Sequence, residues 1–434
     1  MKKLFYLFLW LAIFLFPALA YAQFNISAEL RPRFEMDNGA LKPRPDSVET
    51  LYFVSQRTRL KFDFAKEKYQ LRLSIQDVRF WGSGNIYSST GVFSYTDGLD
   101  IQEAWFRLYL CEYSSLTIGR QVLKMDDQRL IAGRNWNQFG ISYDALNYTF
   151  AKNKWTLNAV ISYNTNTSIN NGRLPKDEEF FSTGNLMKSF NYLHLNRSFN
   201  ENFQASAVVL GAAYQATNDR SLLYMTGTYG LWFKYSKGIF DLNAEMYYQN
   251  GKAQSSKDVS SYMASIHPAV KAGIVKIGIG ADYISGDNAD NDDYGEKEKT
   301  FNLMYGAVFK NYGSMNYYSY MKASTANGGL IDLYPNITFK FNKKHDLLLM
   351  FHKFYLANSV MLGQTVVDDK DLGAELDMMY TYKPMPELKV QAGFSYYFTT
   401  STLEKVKGVD GVDLNSPYWG WVMLTFTPKL FSSN

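Results

Sequence analysis

The stretch Phe24-Asn25-Ile26-Ser27-Ala28-Glu29-Leu30-Arg31 switches between apolar and polar side chains at every step. Successive side chains of a β-strand point to opposite faces, so the segment has one oily face and one wet face. The same period of two returns at Phe240-Asp241-Leu242-Asn243-Ala244-Glu245-Met246 and at Leu388-Lys389-Val390-Gln391-Ala392-Gly393-Phe394-Ser395. After Ala22 no apolar run reaches the ~18 residues of a membrane helix, which excludes helical spans. Alternation sustained along the whole chain predicts an all-β fold, a single transmembrane antiparallel β-barrel with oil outside and water inside.

The N-terminus reads as an address. Lys2 and Lys3 form a positive end, Leu4 to Phe16 is an apolar run, and Ala20-Tyr21-Ala22 is a small-x-small cleavage site. Residues 1–22 are therefore expected to be a cleaved signal peptide, and residues 23–434 the barrel. No Cys follows the cleavage site, so no lipoprotein anchor is expected. No composition shift, Pro-rich linker or charge block divides the rest of the chain. The mean hydropathy of −0.26 is low for a membrane protein. A barrel hides its oil in this way, because lumen residues interleave with lipid-facing ones. The aromatic content of 17%, with 33 Tyr and 31 Phe, suits the aromatic girdles of such barrels. The implied location is the outer membrane of a Gram-negative bacterium, with membrane lipid and lipopolysaccharide as neighbours.

Connectors come in two kinds. Short ones include 65–68, 151–153, 236–238, 342–344 and 383–386. Long ones, rich in Gly, Asn, Asp and Ser, include 36–50, 81–100, 125–138, 165–186, 286–299, 358–370 and 400–415. Short periplasmic turns alternating with long external loops describe a barrel with both ends on the periplasmic side. Counting the runs predicts about 20 strands, to within two. The last strand is expected from Pro417 to about Phe426. No plug domain precedes the first strand, which disfavours a TonB-dependent transporter.

With the apolar set facing lipid, the wet set faces the lumen. It contains Glu29, Arg31, Arg33 and Glu35 on the first strand, and Arg57, Arg59, Lys61 and Asp63 on the second. Arg72 follows on the third strand, then Glu103, Trp105, Arg107 and Tyr109 on the fourth. Neighbouring strands lie about 4.8 Å apart, so these charges form one basic wall. The acidic groups could neutralise individual arginines, but the basic groups outnumber them. A residual positive field favours anions, and a guanidinium grips carboxylate or phosphate bidentately. Farther along, Glu375 and Asp377 face inward and could oppose the ladder across the pore. Tyr247, Tyr397, Trp105 and Trp232 also read inward, either filling the lumen or stacking on a solute.

Three motifs interrupt the alternation. They are Gln76-Asp77-Val78-Arg79-Phe80-Trp81-Gly82, Gly119-Arg120-Gln121 and Asp126-Asp127-Gln128-Arg129-Leu130. A charge facing lipid at mid-membrane costs roughly 2–4 kcal/mol, so Asp77 and Arg120 are expected at a bulge or at the outer rim. Capping of strand ends is the plainer alternative.

With Glu29-Leu30-Arg31-Pro32-Arg33, Gln56-Arg57-Thr58-Arg59-Leu60, Glu103-Ala104-Trp105, Tyr143-Asp144-Ala145 and Ser285-Gly286-Asp287, these motifs make the chain resemble the alginate-export family of outer-membrane proteins. The resemblance is dense over residues 24–150 and thins afterwards to Gly373-Ala374-Glu375-Leu376-Asp377. It implies a monomeric barrel of 18 strands with an Arg-lined constriction that passes a polyuronate. Matching positions make Arg57, Arg59, Arg79, Arg107, Arg120 and Arg129 candidates for pore lining. Arg31, Arg33 and Arg72 join them from the strand phase, with Glu29, Asp63, Asp77, Glu103, Glu375 and Asp377 as acidic partners.

The expected function is an outer-membrane channel for anionic solutes, with an anionic polysaccharide as one option. A general or carboxylate-selective porin, an adhesive barrel and an outer-membrane hydrolase are the alternatives. Neither cofactor nor metal is expected. The net charge of +4 is too small to argue for nucleic acid, and the lone Cys111 allows no internal disulfide. The run Gly286-Asp287-Asn288-Ala289-Asp290-Asn291-Asp292-Asp293 has oxygen ligands that calcium could use, but not the EF-hand spacing; a solvated acidic loop is the other reading. His194, His267, His345 and His352 are scattered, with no metal spacing or Ser/His/Asp cluster.

Overall fold

Alternation becomes a ladder in the computed structural model, which describes residues 23–81, 99–164, 187–216 and 222–433. The predicted signal peptide lies outside these residues, as do residues 82–98 and the loop expected at 165–186. The strands are β1 (Gln23–Asn38), β2 (Leu51–Lys66), β3 (Tyr69–Phe80), β4 (Asp100–Cys111), β5 (Ser114–Gln121), β6 (Tyr143–Lys152) and β7 (Trp155–Tyr163). They continue with β8 (Met187–Ser198), β9 (Phe203–Gln215), β10 (Leu223–Lys237), β11 (Phe240–Lys252), β12 (Asp258–Ala272) and β13 (Val275–Ile284). After them come β14 (Leu330–Lys340), β15 (His345–Leu356), a small hairpin of β16 (Val360–Leu362) and β17 (Thr365–Val367), then β18 (Asp371–Met385) and β19 (Leu388–Phe398). The chain ends on β20 (Tyr418–Phe426) and β21 (Lys429–Ser432).

Each barrel strand pairs antiparallel with the next, and β1 pairs with β20 and β21 to close the sheet. The sheet has 19 segments, but β20 and β21 follow one another along β1 and make a single strand broken at Thr427-Pro428. The barrel therefore has 18 strands. Pro428 has no N–H for the ladder, which explains the break, while its carbonyl still accepts from Ala28 N at 3.1 Å. Strand facing follows the period of two: Glu29 and Arg31 are buried inside, whereas Leu30 and Phe34 are exposed outside.

One rim carries tight turns, such as 153–154, where Asn153 and Lys154 both take positive φ (49° and 68°), as a two-residue hairpin turn requires. The other rim carries the long connections. Two of these turn inward, residues 122–142 after β5 and residues 285–329 after β13. The second contains α1 (Val308–Asn311) and α2 (Met321–Ser324). They meet at Ile131 and Tyr305, which form a parallel bridge, and Ala132 N donates to Tyr305 O at 3.2 Å.

The hydrophobic core thus sits within the barrel. Leu130, Ile131 and Ile141 come from the first segment, and Phe301, Tyr312, Met315, Tyr317 and Tyr318 from the second. Burial of each large side chain contributes about 1.5–3 kcal/mol. Gly313 (φ 82°) lies so close to the Glu375 carboxylate that a side chain would not fit. A further helix, α3 (Ser401–Lys407), sits in the loop before β20; Thr400 caps it by accepting from Leu403 N at 3.2 Å, and left-handed Gly408 ends it.

Candidate functional site

The basic wall forms as the alternation requires, and its partner is the backbone of residues 135–139. Arg31 donates to the carbonyls of Asn135 (2.6 Å), Trp136 (3.1 Å) and Asn137 (2.8 Å), and to Gln138 Oε1. Arg57 donates to the carbonyls of Asn135, Asn137 and Gln138 at 3.2–3.3 Å and pairs with Glu29. Arg59 reaches Phe139 O at 2.7 Å, Asn135 Oδ1 and Gln76 Oε1. Arg33 pairs with Glu35 at 2.9 Å and lies over the Trp136 ring, 5.1 Å from its centre. Gln138 closes the anchor by donating to Ser55 Oγ at 2.9 Å. Motif residues far apart in sequence therefore converge on one in-folded segment.

Lower along the same wall, Arg72 pairs with Asp63 at 2.6 Å and approaches Glu103 at 3.7 Å. Trp105 stands between Arg72 and Arg107, its ring centre 5.3 and 5.1 Å from the two guanidinium carbons. Arg107 donates to Thr117 Oγ1 at 2.9 Å. Among the described residues, no carboxylate pairs with Arg107, Lys61 or Lys124.

Two arginines expected to line the pore stand outside it. Arg57 is opposite Val78, so Val78 shares the inner face, and Asp77 and Arg79 take the outer one. They pair with each other at 2.6 Å near the external end of β3. The strand does not change phase there. Likewise Arg107 is opposite Thr117, so Arg120 points outward, where it grips Asp144 bidentately at 2.9 and 3.1 Å. Gly119 (φ 117°) packs against the Ala104 carbonyl, too close for any side chain. Both outward pairs lie at the outer ends of their strands, where water lowers the cost of a charge.

Arg129 enters the lumen from the first in-folded segment. It pairs with Glu245 of β11 and Asp282 of β13, and donates to Tyr312 OH at 3.0 Å. It is a strut from the loop to the far wall. That wall is acidic: Glu245, Asp282, Asp332, Glu375 and Asp377 all face inward. Glu375 accepts from Met315 N at 2.8 Å, and Asp377 accepts from Ser314 N at 3.3 Å and from Ser395 Oγ. The two hold the second in-folded segment rather than pairing with the arginine ladder. Glu245 and Asp282 were legible from strand phase alone; the role of Asn135 and Trp136, whose carbonyls do the work, carried no side-chain signal.

Among the described residues, three chambers bear on the site. An outer one of about 1160 Å³ opens between the loops. An inner one of about 360 Å³ lies between Arg31 and Arg57 on one side and His352 and Asp377 on the other. A side chamber of about 490 Å³ follows the basic wall, with Arg59, Lys61, Arg72, Arg107 and Lys124 against Glu29 and Glu103.

Lys299 occupies the heart of the acidic loop, pairing with Asp287 at 3.1 Å and Asp293 at 2.7 Å. Its ammonium holds the Asp293 carboxyl below the usual range. That arrangement is an ion-pair loop in which Asp287 is buried. His352 Nδ1 contacts Asp332 at 2.8 Å, and His194 contacts Asp126 at 3.0 Å. Ser206 donates to that same Asp126, so the carboxylate stands between serine and imidazole, the wrong order for a nucleophile relay.

Residues 22–171 match the family model described as alginate export. No curated protein matches the chain. Among solved structures, OpdK of Pseudomonas aeruginosa, solved with vanillate, aligns over 94% of this chain and 98% of its own at 12% identity, with a TM-score of 0.62. OccAB4 of Acinetobacter baumannii aligns over the same shares at 12% identity and a TM-score of 0.61. OpdL of Pseudomonas aeruginosa covers 94% and 99% at 13% identity, also at 0.61. The resemblance read from the N-terminal motifs is therefore borne out: the chain carries the alginate-export signature over residues 22–171 and has the closed β-barrel fold of these solved outer-membrane proteins.

Proposed function

We propose that the protein is an anion-selective channel, and that small carboxylates are its solutes. The observation that carries this reading is the side chamber, where five cationic side chains face two carboxylates across a space of about 490 Å³. Lys61, Arg107 and Lys124 keep their charge for a passing ion, since they pair with no carboxylate among the described residues. In a narrow lumen such a field concentrates anions and repels cations. The size of the side and inner chambers favours small solutes, because sites of roughly 300–1000 Å³ suit small molecules. Passage of an alginate-like polymer would require the in-folded segments to move aside. Vanillate, found with one structural neighbour, is a suitable first probe. The protein works as a single barrel in membrane lipid and performs no chemistry on its solute.

Reversal potentials in planar bilayers under a KCl gradient test the proposal. Anion selectivity is expected, and the double change Lys61→Glu with Arg107→Glu should shift it toward cations. A cation-selective wild type, or a double variant that selects as the wild type does, would sink the reading.

A further inference from the structure

The outer and inner chambers share four lining residues, Asn135, Trp136, Phe309 and Lys310. The wall between them is thus one layer of side chains, half from each in-folded segment. Its centre is aromatic: the Trp136 and Phe309 rings stack with centroids 4.3 Å apart and planes 9° from parallel. β20 braces both rings edge-on. Trp421 meets Trp136 at 4.6 Å, and Trp419 meets Phe309 at 5.9 Å. From β1, the strand next to β20, Arg31 and Arg33 hold the Trp136 carbonyl at 3.1 and 3.3 Å. Lys310, beside Phe309, ties α1 to the first segment by donating to Asp127 O at 2.8 Å.

We propose that the Trp136–Phe309 stack is the gate of this channel and a determinant of which solutes pass. No ion pair joins these two rings. Parting stacked rings costs far less than parting a buried ion pair, so the two rings can swing apart while Arg129 and Arg57 keep their anchors and residues 305–307 stay bonded to the first segment. Phe309 lines both chambers, so a solute that crosses this layer meets its ring. The gate rests on the reading of the barrel as a channel, but not on its preference for anions.

Single-channel conductance in symmetric KCl decides the matter, with Phe309→Ala, Trp136→Ala and the stack-preserving Phe309→Tyr. Both alanine variants should conduct about twofold more or better, because the layer between the two chambers is opened, with the sign of the reversal potential unchanged. Phe309→Tyr should conduct as the wild type does. Wild-type conductance in Phe309→Ala, in a barrel still shown folded by its heat-dependent gel mobility, would overturn the proposal. Phe309→Ala takes precedence over Trp136→Ala, whose ring also packs on β20. A silent wild type opened by the alanine changes supports the gate, and one left silent by them overturns it. Anion preference fails separately, on the reversal potential of the wild type.

Discussion

The two walls of the lumen carry opposite charges and use them in different ways. On the basic wall, Arg31 and Arg59 meet backbone carbonyls, which are dipoles without net charge, and Arg57 divides its bonds between such carbonyls and Glu29. Lys61, Arg107 and Lys124 beside them line an open chamber. On the acidic wall, Glu245 and Asp282 meet the full charge of Arg129, and Glu375 meets the N–H of Met315 beneath a layer of tyrosines. Of the five carboxylates there, only Asp377 lines one of the three chambers. A charge beside water-filled space acts on a solute. A charge covered by protein acts on the fold. In this barrel the first group is mostly basic and the second is mostly acidic.

The strongest way to break this contrast is Arg129→Met. It leaves Glu245 and Asp282 buried without their cation, a loss of about 3–5 kcal/mol. Unfolding followed by gel mobility in a urea series should shift accordingly; an unshifted midpoint would mean the far wall does not depend on the strut. Arg57→Ala comes next. It frees the Gln138 carbonyl, leaves those of Asn135 and Asn137 to Arg31 alone and strands Glu29, at a cost of about 3 kcal/mol, and residues 122–142 should become sensitive to protease before the barrel does. Equal sensitivity to the wild type would remove Arg57 from the anchor.

A smaller effect sharpens the contrast from the outside. Arg79→Ala, on the outer face, should leave the reversal potential where it was, although the family resemblance alone would place this residue in the pore. A measurable loss of selectivity would return it to the lumen. The smallest effect is one of pH. Burial pushes the Lys407 ammonium down to about 8. Its folded pKa lies below the ordinary value, so the unfolded chain binds more protons between about 8 and 10.4. Stability of the mouth should therefore rise as pH climbs through that window and stay flat below it. The rise should vanish in Lys407→Met, as read from melting at pH 7 and pH 10.

Where the sequence reading missed, the cause is physical. Asp77 and Arg79 looked like a change of phase because Val78 between them is apolar. The phase in fact continues, with Val78 turned inward against Arg57 and the charged pair outward at the rim. Residues 301–329 carry Tyr, Phe and Met without a steady period of two, and they pack into the lumen instead of adding to the wall. The expected range of 18–20 strands accordingly closes at 18.

Period-two alternation, the turn-rich connectors and the phase of each charged residue were enough to determine the barrel and the existence of a basic wall. Those features are local, since each strand states its own two faces. What the wall is for was decided by tertiary structure alone. A guanidinium in the lumen can bind a solute or a loop, and the choice depends on whether residues 122–142 and 285–329 fold inward. That outcome hangs on contacts between residues such as Arg31 and Trp136, or Arg129 and Asp282, about 100 or more positions apart and joined partly through carbonyls that every residue possesses.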